Sequence, residues 1–128
     1  MRLSIAKLMG EWALDIFASD IWETDGPISQ EEVAEALEQD RLAPEPFDPV
    51  DWTQPREYHV ERIAYLVRHG WEDPIEMDLG IPTLQYVPLW PIEDGHHRFA
   101  AALYRGDDTI LVDAAGETDW IESFKPDG

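Results

Sequence analysis

The chain contains no cysteine among its 128 residues. Disulfides, thiolate nucleophiles and cysteine-based zinc sites are therefore excluded. A long hydrophobic run is also missing, because Glu11 and Asp15 interrupt the N-terminal stretch MRLSIAKLMGEWALDIF. This pattern argues against a signal peptide or a membrane span. We expect a cytoplasmic protein without membrane contact.

Positive charge is scarce as well. Nine Lys and Arg residues stand against 28 Asp and Glu residues, which gives a formal net charge of -19. Affinity for duplex DNA comes mainly from Lys and Arg that neutralise phosphates, so direct DNA binding is not expected. The same charge suits docking on a basic protein, by imitation of the charge field of a nucleic acid.

What the chain does contain is enough apolar material for one packed domain, with 44% hydrophobic residues and six tryptophans. A chain of this length forms a single core. We divide it into an acidic helical segment (1–41), a proline-rich loop (42–55), a core region (56–115) and a tail (116–128). Most of the arginines lie in the core region, which is therefore the better place for an anion to bind.

Patterns in the first half predict two helices and a loop. Apolar residues recur at helical spacing over residues 3–19. Ser29 and Glu32 have the spacing of a capping box, which predicts a helix over residues 30–39. Four prolines then predict a covering loop, held in place by Phe47 and Trp52.

The second half predicts alternating helices and strands. The stretch REYHVERIAYLVRHG reads as a helix ending at a left-handed Gly70. IEMD alternates as a half-buried strand, YVPLWPIED is confined by its prolines to an edge or a bulge, and TILVDA suits a central strand. A helix over residues 96–105, closed by Gly106, lies between the last two. Residues 86–114 are thus predicted to form a β-α-β unit, in an α/β or α+β fold with a small mixed sheet.

The residues Asp94-Gly95-His96-His97-Arg98 fall where the predicted edge strand ends and this helix begins. Helix N-termini present unpaired amides and a partial positive charge, which makes them suited to anions. Gly95 allows a close approach, His96 and His97 can donate hydrogen bonds, and Arg98 can contact two phosphate oxygens. Asp94 can orient a histidine, bind Mg²⁺ beside a nucleotide, or act as a base.

A plainer interpretation stays open. Asp94 would then be a helix cap, Gly95 a turn residue, and the two histidines exposed polar groups of the first turn. Neighbouring histidines on a helix diverge by about 100 degrees, so joint ligation of one metal ion is awkward. No dedicated metal site is expected, and Mg²⁺ is expected only together with a nucleotide.

The stretch IEDGHHRFAAALYRGDDTILV resembles the ParB N-terminal and sulfiredoxin-like superfamily, whose members carry a Gly-x-His-Arg type motif at a strand-to-helix turn. The upstream HVERIAYLVRHGWEDPIEMDLG is similar to the helix, turn and strand of that family. The likeness covers about residues 56–115. It implies a compact fold that holds the phosphates of ATP, ADP or CTP at Gly95–Arg98, with His59 and Arg62 as a second phosphate wall.

Members of this superfamily differ in activity, and the departures of this chain narrow the choice. Sulfiredoxin chemistry needs a cysteine where this chain has His96, and partition proteins need a downstream DNA-binding domain. The Asp-Gly-His-His-Arg form is similar to the free serine kinase branch. The resemblance therefore implies phosphoryl transfer or nucleotide hydrolysis, with His97 at the phosphates and Asp94 or Glu93 binding Mg²⁺ or activating an acceptor. The alternative is a non-enzymatic acidic protein that docks on, or inhibits, a basic partner.

Overall fold

The computed structural model describes residues 1–44 and 55–127, in which five α-helices and a four-stranded mixed sheet form an α+β fold. In chain order the elements are β1 (Arg2–Ser4), α1 (Ile5–Trp12), α2 (Gln30–Glu38), α3 (Arg56–His69), β2 (Ile75–Asp78), β3 (Ile92–Asp94), α4 (His96–Arg105), β4 (Thr109–Ala115) and α5 (Thr118–Glu122). Short 3₁₀ turns occupy Ile16–Ala18 and Pro82–Leu84.

The strand order is β1-β4-β2-β3. β4 is a central strand and β3 lies at an edge next to an irregularity in β2, as the sequence predicts. The predicted β-α-β unit is wrong, because β2 lies between β3 and β4 and pairs antiparallel with the former and parallel with the latter. Helix α4 therefore crosses over a strand that precedes it in sequence.

Helices α3 and α4 pack together and form the interior of the site. Phe99, Ala100, Ala101 and Ala102 of α4 are fully buried, and the small side chains of the three alanines let the helix approach its neighbours closely. Ile63 and Ala64 of α3 are equally buried. This packing fixes the beginning of α4 against the first two turns of α3.

Three helix ends test the predicted capping chemistry. The capping box at α2 is confirmed, because the Ser29 hydroxyl accepts from the Glu32 amide at 3.1 Å while Glu32 accepts from the Ser29 amide at 3.1 Å. Gly106 closes α4 in the left-handed conformation, also as predicted. Gly70 ends α3 with a positive φ of 74°, as predicted, but its ψ of −167° lies outside the left-handed helical region, so the cap is not of the predicted left-handed type.

Both ends of the chain differ from the prediction. The helix predicted over residues 3–19 is shorter: residues 2–4 pair with β4, and α1 stops at Trp12, where Ala13 takes φ 51°. The predicted tail contains α5, whose Ile121 is buried together with Phe124. These terminal segments complete the core rather than extending from it.

The proline-rich loop with Phe47 and Trp52 falls largely outside the described residues. Among the helices of the described ranges, none combines the length and the apolar character needed to cross a bilayer.

Candidate functional site

A cleft of about 480 Å³ opens at the beginning of α4. Its volume lies in the range of small-molecule sites, which is about 300 to 1,000 Å³. The lining combines aromatic, cationic and acidic side chains from four parts of the chain: Trp22, Tyr58, Arg62, Leu66, Trp71, Asp73, Asp94, Gly95, His96, His97 and Arg98. The predicted junction at residues 94–98 is thus one wall of the cleft.

Gly95 makes the sharp turn from β3 into α4. Its φ is 110°, a value that L-residues rarely adopt. A Cβ at this position would collide with Cγ2 of Ile75 and lie 2.6 Å from its Cβ. Only glycine lets α4 begin directly against β2.

The N-terminus of α4 has no side-chain cap among the described residues. Asp94 does not cap the helix, because its carboxylate bonds Nη2 of Arg98 at 3.3 Å instead. The backbone amides of His96, His97 and Arg98 therefore have no acceptor within the helix. The side chains of the same residues line the cleft. The plainer interpretation of this turn is wrong in assigning the cap to Asp94.

His59 of α3 and His97 of α4 form a directly bonded pair, which we call the imidazole pair. Nδ1 of His59 lies 2.8 Å from Nε2 of His97. The ring centroids are 5.1 Å apart with only 13° between the planes, so the rings lie edge to edge. One ring nitrogen donates and the other accepts, which requires that at least one imidazole be neutral.

Aromatic residues enclose the imidazole pair. The ring of Trp22 is stacked on both histidines, with centroid distances of 4.6 Å to each. The ring of Tyr58 meets both imidazoles edge-on. His59 is only 2% exposed, and His97 is half-buried. The histidines are thus part of an apolar layer, and the exposed first-turn histidines of the plainer interpretation are not observed.

Burial sets the protonation of all three histidines near the cleft. It lowers the pKa of His59 to about 4. Burial also lowers the pKa of His97 to about 3, and the neighbouring His59 and Arg62 add to the effect. The pKa of His96 is lowered too, mainly by burial. All three are neutral at neutral pH.

His96 diverges from His97, as expected for adjacent helical residues. Its Nε2 accepts a hydrogen bond of 2.9 Å from Nε1 of Trp90. Because the indole nitrogen can only donate, the proton of neutral His96 must lie on Nδ1. In this tautomer Nδ1–H is the donor of His96, a residue that lines the cleft.

Arg98 is placed at the cleft but is already engaged. Its Nη1 donates to the carbonyls of Asp73 and Pro74 at 3.1 and 3.0 Å, and Nη2 contacts Asp94. The guanidinium ties the start of β2 to the end of β3. The sequence predicted that Arg98 could bind two phosphate oxygens. In the structure, only the guanidinium donors that these contacts do not use remain for that purpose.

Arg62 is the cation in the cleft that lacks a carboxylate partner within the described ranges. Seven of the nine Lys and Arg side chains form salt bridges. Arg62 instead donates from Nη1 to the carbonyls of Ala43 and Pro44 at 3.2 and 2.9 Å. With no carboxylate partner in the described part of the chain, Arg62 is suited to contact an anion bound in the cleft.

The structure brings most, but not all, of the predicted site residues together. Gly95, His96, His97, Arg98, Arg62 and Asp94 line the cleft, and His59 supports it from beneath. Glu93 is exposed on β3 and is not among the described residues of the lining. Sequence reasoning missed Trp22, Tyr58, Trp71 and Asp73, of which only Tyr58 had a sequence signal, its place beside His59.

Among the described residues, the carboxylates and histidines form no cluster that could hold a resident metal ion. In the ranges 1–44 and 55–127, no group of three or more His, Asp or Glu side chains converges on one point.

No protein-family model, curated protein or solved structure matches the chain.

Arg56 fixes the segment that carries Trp22. Its guanidinium donates to the carbonyls of Thr24, Gly26 and Pro27 and to both oxygens of Glu32. The bond to Arg56 lowers the pKa of Glu32 to about 2. This one side chain joins the 24–27 turn to α2 and α3.

Arg56→Met should lower the free energy of unfolding by about 2 kcal/mol, since several charge-assisted bonds are lost at a partly exposed position. Urea unfolding measures the loss. Arg56→Lys keeps the charge but not the planar fork, and should recover only a minor part of it. Wild-type stability in Arg56→Met would contradict this role.

Proposed function

We propose that the cleft binds a nucleotide, with the phosphates at the first turn of α4. The observation that carries the proposal is the position of Arg62, a cation without a carboxylate partner in the described part of the chain, in the same cleft as an uncapped helix N-terminus. Unpaired amides and an arginine are complementary to phosphate oxygens. His96 adds a neutral donor beside them.

The aromatic side chains of the cleft suit the base of a nucleotide. Trp71 and Tyr58 contribute aromatic surface to the lining. The guanidinium of Arg105 lies over the ring of Trp71 at 4.9 Å, on the side of α4 remote from its first turn. A base needs only a flat, half-apolar face on which to stack, so these side chains favour nucleotides over simple inorganic anions.

The ParB and sulfiredoxin-like resemblance adds a reaction class, phosphoryl transfer or nucleotide hydrolysis, to this proposal. His97 is a poor general base, because a group with a pKa of about 3 has little affinity for a proton at neutral pH. We assign it, with His59, to positioning the first turn of α4. Asp94 is the carboxylate at that turn and the better candidate for activating an acceptor, while Glu93 is displaced from the lining.

Mg²⁺ would have to arrive with the nucleotide. The described side chains provide no three-ligand set for it, and Asp94 is partly neutralised by Arg98. Phosphate oxygens would therefore be the main ligands of such an ion.

Thermal unfolding with ATP, ADP, CTP and GTP, each with and without Mg²⁺, tests the proposal. A nucleotide at a hundredfold excess over its dissociation constant adds about 2.7 kcal/mol of stability, which appears as a raised midpoint. Release of inorganic phosphate from the nucleotide that binds then tests the reaction class separately. An unchanged midpoint with every nucleotide would refute the proposed function.

Arg62→Ala should weaken nucleotide binding by about tenfold to a hundredfold, the loss expected for one charge-assisted contact. Isothermal titration with the nucleotide that stabilises the wild type measures the change. Arg68→Ala is the matched control, because Arg68 lies on the same helix but pairs with Asp40 and the carbonyl of Leu37. Equal affinity of Arg62→Ala and wild type would show that the phosphates lie elsewhere.

A further inference from the structure

The connection between β2 and β3 exposes a row of large apolar side chains. Leu84 is 71% exposed, Tyr86 47%, Val87 41% and Leu89 96%. We call these four residues the 84–89 surface. Single exposed apolar residues are ordinary, but four within six positions of one loop are a concentration of apolar surface of the kind expected at an interaction site.

The 84–89 surface is held in place by its own contacts. Ile81 and Tyr86 pair through backbone bonds of 2.7 and 3.2 Å. The Tyr86 hydroxyl donates to Asp78 at 2.8 Å, and the carbonyl of Pro88 accepts from Nε1 of Trp12 at 2.9 Å. A loop fixed at several points presents its apolar side chains without a large ordering cost on binding.

The base of the loop is equally constrained. A Cβ on Gly80 would lie 2.5 Å from the carbonyl oxygen of Tyr86 and 2.9 Å from Cδ of Pro88. Thr83 is bonded to Glu117 through its hydroxyl at 2.7 Å. The loop thus folds back against the ends of β2 and β4, which keeps Leu84 and Leu89 outside the core.

Carboxylates surround the 84–89 surface. Between Arg68 and Arg98 the sequence contains no Lys or Arg, and it contains none between Arg105 and Lys125. Asp78 and Glu117 bond directly to the loop. The hydrogen bond to Asp78 raises the pKa of Tyr86, and the charges of Asp78 and Glu93 add to the effect. The patch is apolar in the middle and acidic at its rim.

We infer that the 84–89 surface docks a basic protein, whose apolar side chains cover Leu84 and Leu89 while its Lys and Arg residues face Asp78, Glu93 and Glu117. Charge complementarity selects this occupant. A second copy of the chain would bring the same acidic rim against itself, and an anionic membrane surface would be repelled by it. Neither carries the opposite charge that the rim requires.

The surface is separate from the nucleotide cleft. The cleft lies at the Ile75 end of β2, where Gly95 contacts that residue, and the loop leaves from the Asp78 end. The inference therefore does not rest on nucleotide binding, and Arg62→Ala should leave docking unchanged.

A peptide library displayed on phage, selected against the full chain, tests the inference. Selected phage that also bind the Leu84→Ser/Leu89→Ser variant are then removed. This variant should unfold like the wild type because both side chains are exposed. We expect the surviving peptides to combine Lys or Arg with large apolar residues. Synthetic copies should bind the wild type at least about tenfold more tightly than the variant, and less tightly in high salt.

Charge is tested by a second pair of variants. Glu93→Gln/Glu117→Gln should weaken binding of the same peptides, whereas Glu31→Gln/Glu38→Gln, two exposed substitutions on α2, should not. Peptides without net positive charge, equal binding to the Leu84→Ser/Leu89→Ser variant, or equal effects of the two charge pairs would overturn the inference. So would concentration-dependent dimerisation of the wild type that this variant abolishes, since the occupant would then be a second copy.

Discussion

Gly95→Ala should lower the free energy of unfolding by about 3 kcal/mol, equivalent to a fall in melting temperature of roughly 10 °C for a domain of this size. Part of the loss is conformational, because φ 110° is costly for an L-residue. The rest comes from the collision of the new Cβ with Ile75, which cannot move without shifting β2. Urea unfolding at constant pH measures the sum.

Gly106→Ala separates the two contributions. Gly106 also has a positive φ, 73°, but a Cβ there would meet nothing within 4 Å. This control should lose only about 1 kcal/mol. Equal losses in the two variants would show that the close approach of α4 to β2 has no energetic weight. A nucleotide that stabilises the wild type should also bind Gly95→Ala more weakly, since the first turn of α4 would be displaced.

Local patterns predicted the elements that carry their own signals. The Ser29 and Glu32 capping box, the alternation in IEMD and the glycine after Arg105 each depend on neighbouring residues only, and each gave the right element. β1 has three residues and exists because it pairs with β4 more than a hundred positions away. No local pattern in the sequence reveals such a distant partner. A helix over residues 3–19 was therefore predicted where β1 stands.

The order of the strands could not be predicted from local patterns either. Residues 86–114 do contain a strand, a helix and a strand, and a parallel pair is the usual outcome of that order. β2 occupies the intervening place because its alternating Ile75 and Met77 fill the centre of the core, where both are buried. The direction and neighbours of each strand depend on this competition for the core.

The sequence predicted where in the chain the candidate site lies, but not the contacts between its residues. His59 and His97 were both placed at helix beginnings, but their mutual hydrogen bond requires the packing of α3 on α4. Trp22 had no distinguishing pattern at all. It reaches the imidazole pair because Arg56 holds the segment that follows it, an interaction across about thirty positions.

Lowering the pH from 7.5 to 5 should remove stability that depends on the imidazole pair. Both histidines have a pKa of about 6.5 when unfolded, against about 4 and about 3 in the fold. Between these values the unfolded state binds protons that the folded state does not, so the free energy of unfolding falls as the pH falls below 6.5. The stability contributed by burying both imidazoles in the neutral form is complete well above pH 6.5, and about 4 kcal/mol of it should be lost at pH 5.

Variants isolate this loss from the other titrating groups. His59→Gln/His97→Gln should be less stable than the wild type at pH 7.5 but show a flatter dependence on pH, because its amides do not titrate. His69→Gln, at an exposed position on the last turn of α3, is the control for replacing a histidine by glutamine. Glu32 does not interfere, because its lowered pKa of about 2 means that its contribution is lost only as the pH falls below about 4.5.

Imidazole titration followed by NMR gives the direct measurement. The ring signals of His59 and His97 should stay those of neutral imidazoles down to pH 5, while Trp22 remains stacked on both. A midpoint near 6.5 for either ring would contradict the buried pair, as would a wild-type slope in the double variant. If the predicted values are found, a phosphate ligand of the cleft meets neutral histidines at physiological pH, and its negative charge must be balanced by Arg62 and the amides of α4 rather than by imidazolium.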